Sequence, residues 1–438
     1  MAAITILCKQ DSPRLRYVLD WIFKHVMHIT YLLESDVENL SECEACIAYG
    51  EVYENAFINL PDAGLLWEKG IQQHSIPTGN WNNIPTLYHQ ADNAATVPFD
   101  LFSAIFFLLS RYEEYYPHTP DKHGRYPATE SILYKNNWLL RPLIDEWIYA
   151  FYLMLKEKGV PAQLSGFRFV PTYDIDMAYS FKHKGTRRNI GGFLRSILKG
   201  DKKEIILRQR VLASRALDPY DSFVFIKGLH AQYHVHPIYF MLVALQTTAY
   251  DKNIHPETSV MQRLIRRLKH EGSIGLHPSY YSDKEKTFQE EATLLKQTVG
   301  ENITQSRQHY LRFTVPKTYP YLIKQGVAHD YSMGYGSALG FRCATGRSFY
   351  WYDISKEIAA PLIVHPFCFM DATAHYEAKL STQESLETLL GMMHILKRTE
   401  SQMVTVFHNF SLGTDTAWKG WDTLYETFIK ACIAHRNH

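Results

Sequence analysis

The sequence predicts a mixed α/β protein: a distorted (β/α)7-type barrel preceded by a smaller α/β, or α+β, N-terminal domain. Three observations carry that reading. Beyond about residue 160, short β-like runs alternate with helical patterns about seven times. Just before that point an amphipathic helical pattern stops at Gly159, with Pro161 two residues on. The chain's 438 residues exceed one ordinary core and are comfortable for two domains.

Within residues 1–160, "ITILCK", "HITYLL" and "ACIAYG" read as strands, and "FDLFSAIFFLLSRYEEYY" as a helix burying its aromatic side. Cys43 and Cys46 form a CxxC, but no second Cys or His pair follows at zinc-site spacing. Both are read as structural thiols. "PDKHGRYP" offers Asp121, His123 and Arg125 in a tight polar loop, read as a structural turn. In "RPLIDEWIYAFYLMLKEKG", Leu143, Ile144, Trp147, Ile148, Phe151, Tyr152 and Leu155 share one helical stripe. The boundary after it divides the chain into 1–160, of unknown role, and 161–438.

The second region opens with "FRFVPTY" and a long polar, helical segment to about residue 230. "PIYFMLV" then precedes the helical pattern "SVMQRLIRRLKHEG", and "SIGLH" precedes "KEKTFQEEATLLKQTVG". "QSRQHYLRF" leads to "VPKTYPYLIKQG", with Pro316 near the first turn and Gly326 past the end, where each is tolerated. "VAHDYS" runs into a long loop. "PLIVHPF" leads to "STQESLETLLGMMHILKR", where Ser381 and Glu384 fit a capping box and Leu386, Leu389, Leu390, Met393 and Leu396 form the stripe. Finally "QMVTVFHN" precedes a helix around Trp421, Leu424, Tyr425 and Phe428. Such units build a parallel sheet covered by helices, either closed as an irregular barrel or left open, with the barrel favoured. In both cases the carboxyl ends of the strands form one face where loops converge.

Composition excludes several function classes. Hydrophobic residues make up 46% and charged residues 21%, as in a soluble globular protein. A net charge of +1 gives no broad field to attract nucleic acid or an anionic membrane. The most apolar stretches, "FSAIFFLLS" and "PLIVHPFCFM", fall short of the roughly 20 residues a membrane span needs. The start "MAAITILCKQDSPRLRYVLDWIF" lacks the features of a secretory signal, and six cysteines do not make a disulfide framework. The expectation is a cytoplasmic chain with no nucleic-acid partner and no membrane span, its oligomeric state unknown.

Chemistry concentrates at the strand ends. Asp174 and Asp176 end the first unit, His277 the third, Arg307 and His309 lie in the fourth, Asp330 in the fifth, His365 and Asp371 in or after the sixth, and His408 ends the seventh. Singly, each has a structural explanation: a histidine at a strand end is usually a bonded core residue, and an arginine usually pairs with an acid. Together they predict one crevice, either reacting with a ligand or only binding it. Two acids after a buried run are costly unless a cation neutralises them. A divalent metal takes imidazole nitrogen and carboxylate oxygen and needs about three protein ligands in an open site, for which Asp176 and His277 are the first choices. One acid can ligate while the other serves as general base.

At these residues the chain resembles the polysaccharide deacetylase family, over about residues 161–438. The markers are "TYDID", "GSIGLHPSYYS", "SRQHYLRF", "DYSMGYGSALGFRCATGRSFYWYDI", "PFCFMDAT" and "VFHNFSL", in that order. It looks most like a bacterial subgroup whose barrel follows an N-terminal domain of unknown role, similar to residues 1–160 at "DLFSAIFFLLSRYEEY" and "DKHGRYP". The resemblance implies a distorted barrel that removes N-acetyl groups from an amino sugar, polysaccharide or glycan precursor, using a water activated by a divalent metal, with zinc first and nickel or cobalt as alternatives. It implies Asp174 as base, Asp176 as metal-binding acid, His277 as first metal histidine, Arg307 as the residue orienting the base, and His408 as proton donor to the leaving amine. The family's second metal histidine lies four residues after the first, where this chain has Tyr281. His309, from the next strand, is our candidate for the vacant role. Because of Tyr281, two alternatives stand beside the deacetylase: a glycan-binding pseudoenzyme, and a hydrolase of a non-sugar C–N bond.

Overall fold

The structure is a computed structural model that describes residues 4–36, 46–90 and 95–434. Cys43 lies outside the described residues, whereas Cys46 is buried on a strand. Four short strands, β1 (Ile4–Leu7), β2 (Tyr31–Glu34), β3 (Cys46–Tyr49) and β4 (Ile58–Leu60), pair in parallel in the order β2-β1-β3-β4. Helix α1 (Pro13–Leu19), capped by Ser12, connects the first two and continues as a π-helical turn to Val26. A hairpin of β5 (Thr78–Trp81) and β6 (Ile84–Leu87) turns on Asn82 and Asn83, both at positive φ, as a tight two-residue loop demands.

Helix α2 (Leu101–Leu109) is buried all round, beyond the one-sided burial its sequence suggests. It also stops earlier than the pattern. Arg111 turns into the left-handed region at φ 55 and bonds Glu113 and Glu114 at 2.8 Å each, so "YEEY" becomes a 3-10 turn. After the short α3 (Ile132–Lys135), α4 (Leu143–Glu157) buries all seven residues of its predicted stripe.

The large sheet contains nine strands: β7 (Arg168–Ile175), β8 (Ile238–Leu242), β9 (Ser273–His277), β10 (Gln305–Ser306), β11 (His329–Asp330), β12 (Phe349–Asp353), β13 (Ile358–Val364), β14 (Phe369–Met370) and β15 (Gln402–His408). Their order is β12-β13-β11-β10-β9-β8-β7-β15-β14, parallel throughout except for β12. Each of the seven predicted runs supplies one strand. The sequence reading omitted β12 and β14. No pairing joins the two ends of this sheet among the described residues, so the architecture shown is mixed α/β without a demonstrated closed barrel.

The connections are helical. The first crossover holds α5 (Gly185–Leu198), α6 (Lys202–Leu212) and α7 (Phe223–Tyr233); the later ones hold α8 (Ser259–Glu271), α9 (Glu285–Val299), α10 (Val315–Lys324) and α11 (Thr382–Arg398), and α12 (Trp421–Ile433) ends the described chain. Ser381 and Glu384 form the expected capping box on α11. Ion pairs tie the first 160 residues to loops of the region that follows: buried Arg342 to buried Glu114 at 2.6 Å, and buried Arg14 to half-buried Glu357 at 2.6 Å. No helix among the described residues is long and apolar enough to cross a membrane.

Candidate active site

Parallel register sets the floor of the site. Asp174 on β7 lies beside Phe240 of β8 and His408 of β15, and Leu242 of β8 is level with His277 of β9, so the polar side chains emerge at neighbouring strand ends. They surround a cavity of roughly 370 Å³ whose walls include Asp174, Asp176, His277, His309 and His408.

Asp174 is almost fully buried and its Oδ1 accepts from Arg307 Nη1 at 2.7 Å. Arg307 is in turn fixed from behind, since its Nε donates to the Tyr331 carbonyl at 2.9 Å and its guanidinium lies 4.4 Å from the Phe240 ring centroid. Neither charge has water to fall back on, so each requires the other. Asp174 Oδ2 is left facing His277 Nε2 at 3.7 Å.

Asp176, His277 and His309 present ligand atoms within 4.8 Å of one another. The Nδ1 of His277 donates to the Arg307 carbonyl at 2.5 Å, which turns Nε2 toward Asp176 Oδ1, 3.1 Å away. His309 is arranged in the same way: Nδ1 meets Asp251 at 3.0 Å and Nε2 lies 3.5 Å from Asp176 Oδ2. Asp251 is buried and further held by Tyr280 N and the Thr248 hydroxyl. Carboxylate or carbonyl backing of a ring nitrogen is how proteins orient imidazole toward a metal.

The residues fit a divalent cation. Asp176 Oδ1 is a buried carboxylate oxygen with no hydrogen-bond partner, and two imidazoles aim at the same acid. Electrostatics agree: burial opposes ionisation of Asp176, yet the two histidines hold its carboxyl well below the usual range. Burial also opposes charge on His309, but Asp176 and Asp251 outweigh it and push its pKa up to about 9.

Opposite the ligand set, His408 ends β15. Its Nδ1 is 2.6 Å from Asp371 Oδ1, its backbone N donates to Asp371 Oδ2 at 2.7 Å, and its ring stacks on Phe410. Burial disfavours the charged ring, but Asp371 overrides it and lifts the pKa to about 9. Nε2 is left 3.6 Å from Asp176 Oδ2.

Two strand-end residues depart from the expected crevice. Asp330 turns inward to accept from Ser332 and the Tyr319 hydroxyl, and His365 packs flat on Tyr331 while bonding His329 and Ser348. Neither lines the cavity. Tyr281, four residues after His277, is 48% exposed and lies outside the ligand set.

Several functional groups escaped the sequence reading. Asp251 sits in the loop "YDKNI", which has no periodic signal, and buried Glu291, raised to about 7 by desolvation, backs Ser279 from α9. The 121–125 loop is a turn, since Asp121 Oδ1 accepts from His123 N and Arg125 N, and it also lines the cavity. Arg125 donates to the Tyr310 carbonyl at 2.7 Å. Tyr310 and Leu311 both hold positive φ, a strained pair at the cavity wall that neighbouring contacts must maintain.

Residues 4–160 match the model of a family of unknown function (DUF7033). Among curated proteins, none matches the chain. Solved structures similar to it include the following three. A Mycobacterium smegmatis protein assigned as a polysaccharide deacetylase shares 12% identity over 62% of this chain and 85% of its own, with a TM-score of 0.40. Puue allantoinase shares 14% over the same shares of each chain, also at 0.40. The polysaccharide deacetylase Bc1974 from Bacillus cereus shares 10% over 61% of this chain and 88% of its own, at 0.29.

Proposed function

We propose that this chain is a metal-dependent hydrolase that removes an N-acetyl group from an amino sugar, polysaccharide or glycan precursor. The observation that supports it is the convergence, on one cavity floor, of a three-residue ligand set, an arginine-braced carboxylate and a carboxylate-backed imidazole. Asp176, His277 and His309 hold a divalent ion, zinc before nickel or cobalt. When bound, the ion supplies Lewis acidity, polarising the acetyl carbonyl and lowering the pKa of a water.

The chain's own residues do the rest. Arg307 holds Asp174 Oδ1, which leaves Oδ2 to take a proton from the water that attacks the carbonyl carbon. Asp371 holds His408 Nδ1, so Nε2 delivers a proton to the amide nitrogen as the C–N bond breaks. The products are acetate and a free amine. Arg307 and Asp371 act through their partners and are positioning residues. Of the cavity-wall rings, Tyr310 is 39% exposed and offers its ring to a sugar.

The test is acetate release from N-acetylglucosamine oligomers by zinc-loaded protein, its chelated form and Asp174→Asn. Release confined to the loaded parent supports the roles given, and undiminished release by the variant refutes them. Tyr281 favours a second reading, a glycan binder without hydrolysis. Elemental analysis separates the two: stoichiometric zinc, nickel or cobalt supports the hydrolase, and none after deliberate loading supports the binder. A screen of non-sugar amides addresses the remaining possibility of a different C–N substrate.

A further inference from the structure

Residues 182–215 contain eleven Lys or Arg against two acids, in a chain where 46 basic residues face 45 acidic ones. The near-neutral total thus hides a strongly basic segment. It folds into α5 and α6, which reverse direction at Gly200 (φ 68). Arg208 of α6 crosses α5 over Gly192, where a Cβ would come within 2.6 Å of its Nη1, and stacks 4.4 Å from the Phe181 ring centroid. Arg188 fastens the base of the pair by donating to the carbonyls of Asn253 at 3.0 Å and Lys252 at 2.5 Å.

Among the described residues the outer side has no such partner. Ile190, Leu194, Ile197 and Leu198 recur at i, i+4, i+7 and i+8, the spacing of a stripe that ordinarily packs on a core. Here they are 55%, 55%, 50% and 88% exposed, and Ile206 and Leu212 of α6 add two more exposed apolar side chains. The contrast with α4 is direct, since its stripe of similar spacing is buried throughout. Arg187, Arg195, Lys199, Lys202 and Lys203 are exposed on the same hairpin. An apolar stripe bordered by cations is the composition of a helix that lies in the plane of a lipid interface.

We propose that the α5–α6 hairpin docks this protein on an anionic lipid surface. A second copy of the chain is a poor occupant, because pairing the stripes would bring two basic hairpins together. Nucleic acid would satisfy the charges and leave the stripe in water. Lipid satisfies both. Lys252, whose carbonyl Arg188 holds, lines the active-site cavity, so the docking hairpin is fastened at the rim of that cavity, and a glycan carried on a lipid is the substrate class that docking suggests. That consequence rests on the hydrolase reading, whereas the docking does not.

The experiment is co-sedimentation of the full chain with vesicles of phosphatidylglycerol and phosphatidylcholine, compared with phosphatidylcholine alone. Binding is expected only to the anionic vesicles and should weaken as salt rises. The triple Arg195→Gln, Lys199→Gln, Lys203→Gln should lower partition on the order of 100-fold, and the triple Leu194→Ser, Ile197→Ser, Leu198→Ser should abolish it. All six side chains are exposed, so melting should be unchanged in both. Failure of the parent to bind anionic vesicles at low salt overturns the proposal, as does binding that both triples leave intact. Sedimentation velocity showing a dimer that the serine triple dissociates assigns the face to a second copy instead. RNA binding that the serine triple leaves intact, without vesicle binding, assigns the charge to nucleic acid. Asp174→Asn should bind vesicles like the parent, so the two proposals fail independently.

Discussion

Cation binding at this site should expel a proton, and the size of the effect follows from His309. In the ion-free site its ring keeps a proton up to about pH 9, because Asp176 and Asp251 flank it in a buried setting. The ion needs the Nε2 lone pair, so below that pH it competes with the proton. At pH 7 the competition spans about two pH units, which weakens apparent affinity on the order of 100-fold relative to the high-pH limit. Between pH 7 and pH 9 the affinity should therefore rise about tenfold per unit and then level off. Isothermal titration of zinc or cobalt in buffers of different ionisation enthalpy reads both the affinity and the protons released. His309→Ala should bind more weakly and release about one proton fewer. A flat affinity from pH 6.5 to 9, or a His309→Ala protein that binds as tightly and releases as many protons as the parent, would refute the assignment of His309 to the ligand set.

Three further outcomes follow from the same geometry. Asp174→Asn keeps an acceptor for Arg307 but loses the base, so turnover should fall about 10²- to 10⁴-fold with metal content unchanged; loss of metal instead would move Asp174 into the ligand set. Arg307→Ala leaves Asp174 buried and unpaired, which should destabilise the fold by about 3–5 kcal/mol in urea unfolding; a cost under 1 kcal/mol would mean that Asp174 finds another partner. In Asp371→Asn, His408 loses the carboxylate that raises its pKa to about 9. Its protonated form then fails at lower pH, so the alkaline limb of the rate profile should move toward neutrality, and an unmoved limb would free His408 from the proton-donor role.

Much of the large sheet was legible because its strands are short apolar runs between strongly periodic helices, and period decides element type. The stripe on α4 and the capping box on α11 were readable for the same reason. Asp174, Asp176, His277 and His408 could be proposed because each interrupts or ends such a run. His309 was harder. It follows a two-residue strand, and its approach to Asp176 depends on the turn in which Tyr310 and Leu311 take positive φ, which no local pattern announces. Asp251 had no signal at all, since a loop aspartate acquires meaning only when a histidine 58 residues away is brought against it. Strand β12 was lost inside the long run read as a loop, and the two-residue β14 went unread just beyond the run of β13. Closure of the barrel was favoured on the number of units, yet unit count alone does not make the two edge strands pair. The basic segment was concealed by averaging: a whole-chain charge of +1 excludes a global field and says nothing about a local one.

The central claim is that one divalent cation sits between Asp176, His277 and His309. Anomalous diffraction at the zinc edge, from crystals soaked in zinc, tests it most directly. The account predicts a single strong peak about 2.0–2.2 Å from an Asp176 oxygen and from Nε2 of both histidines. Saturating zinc with no peak there, or an ion bound without His309, would contradict it.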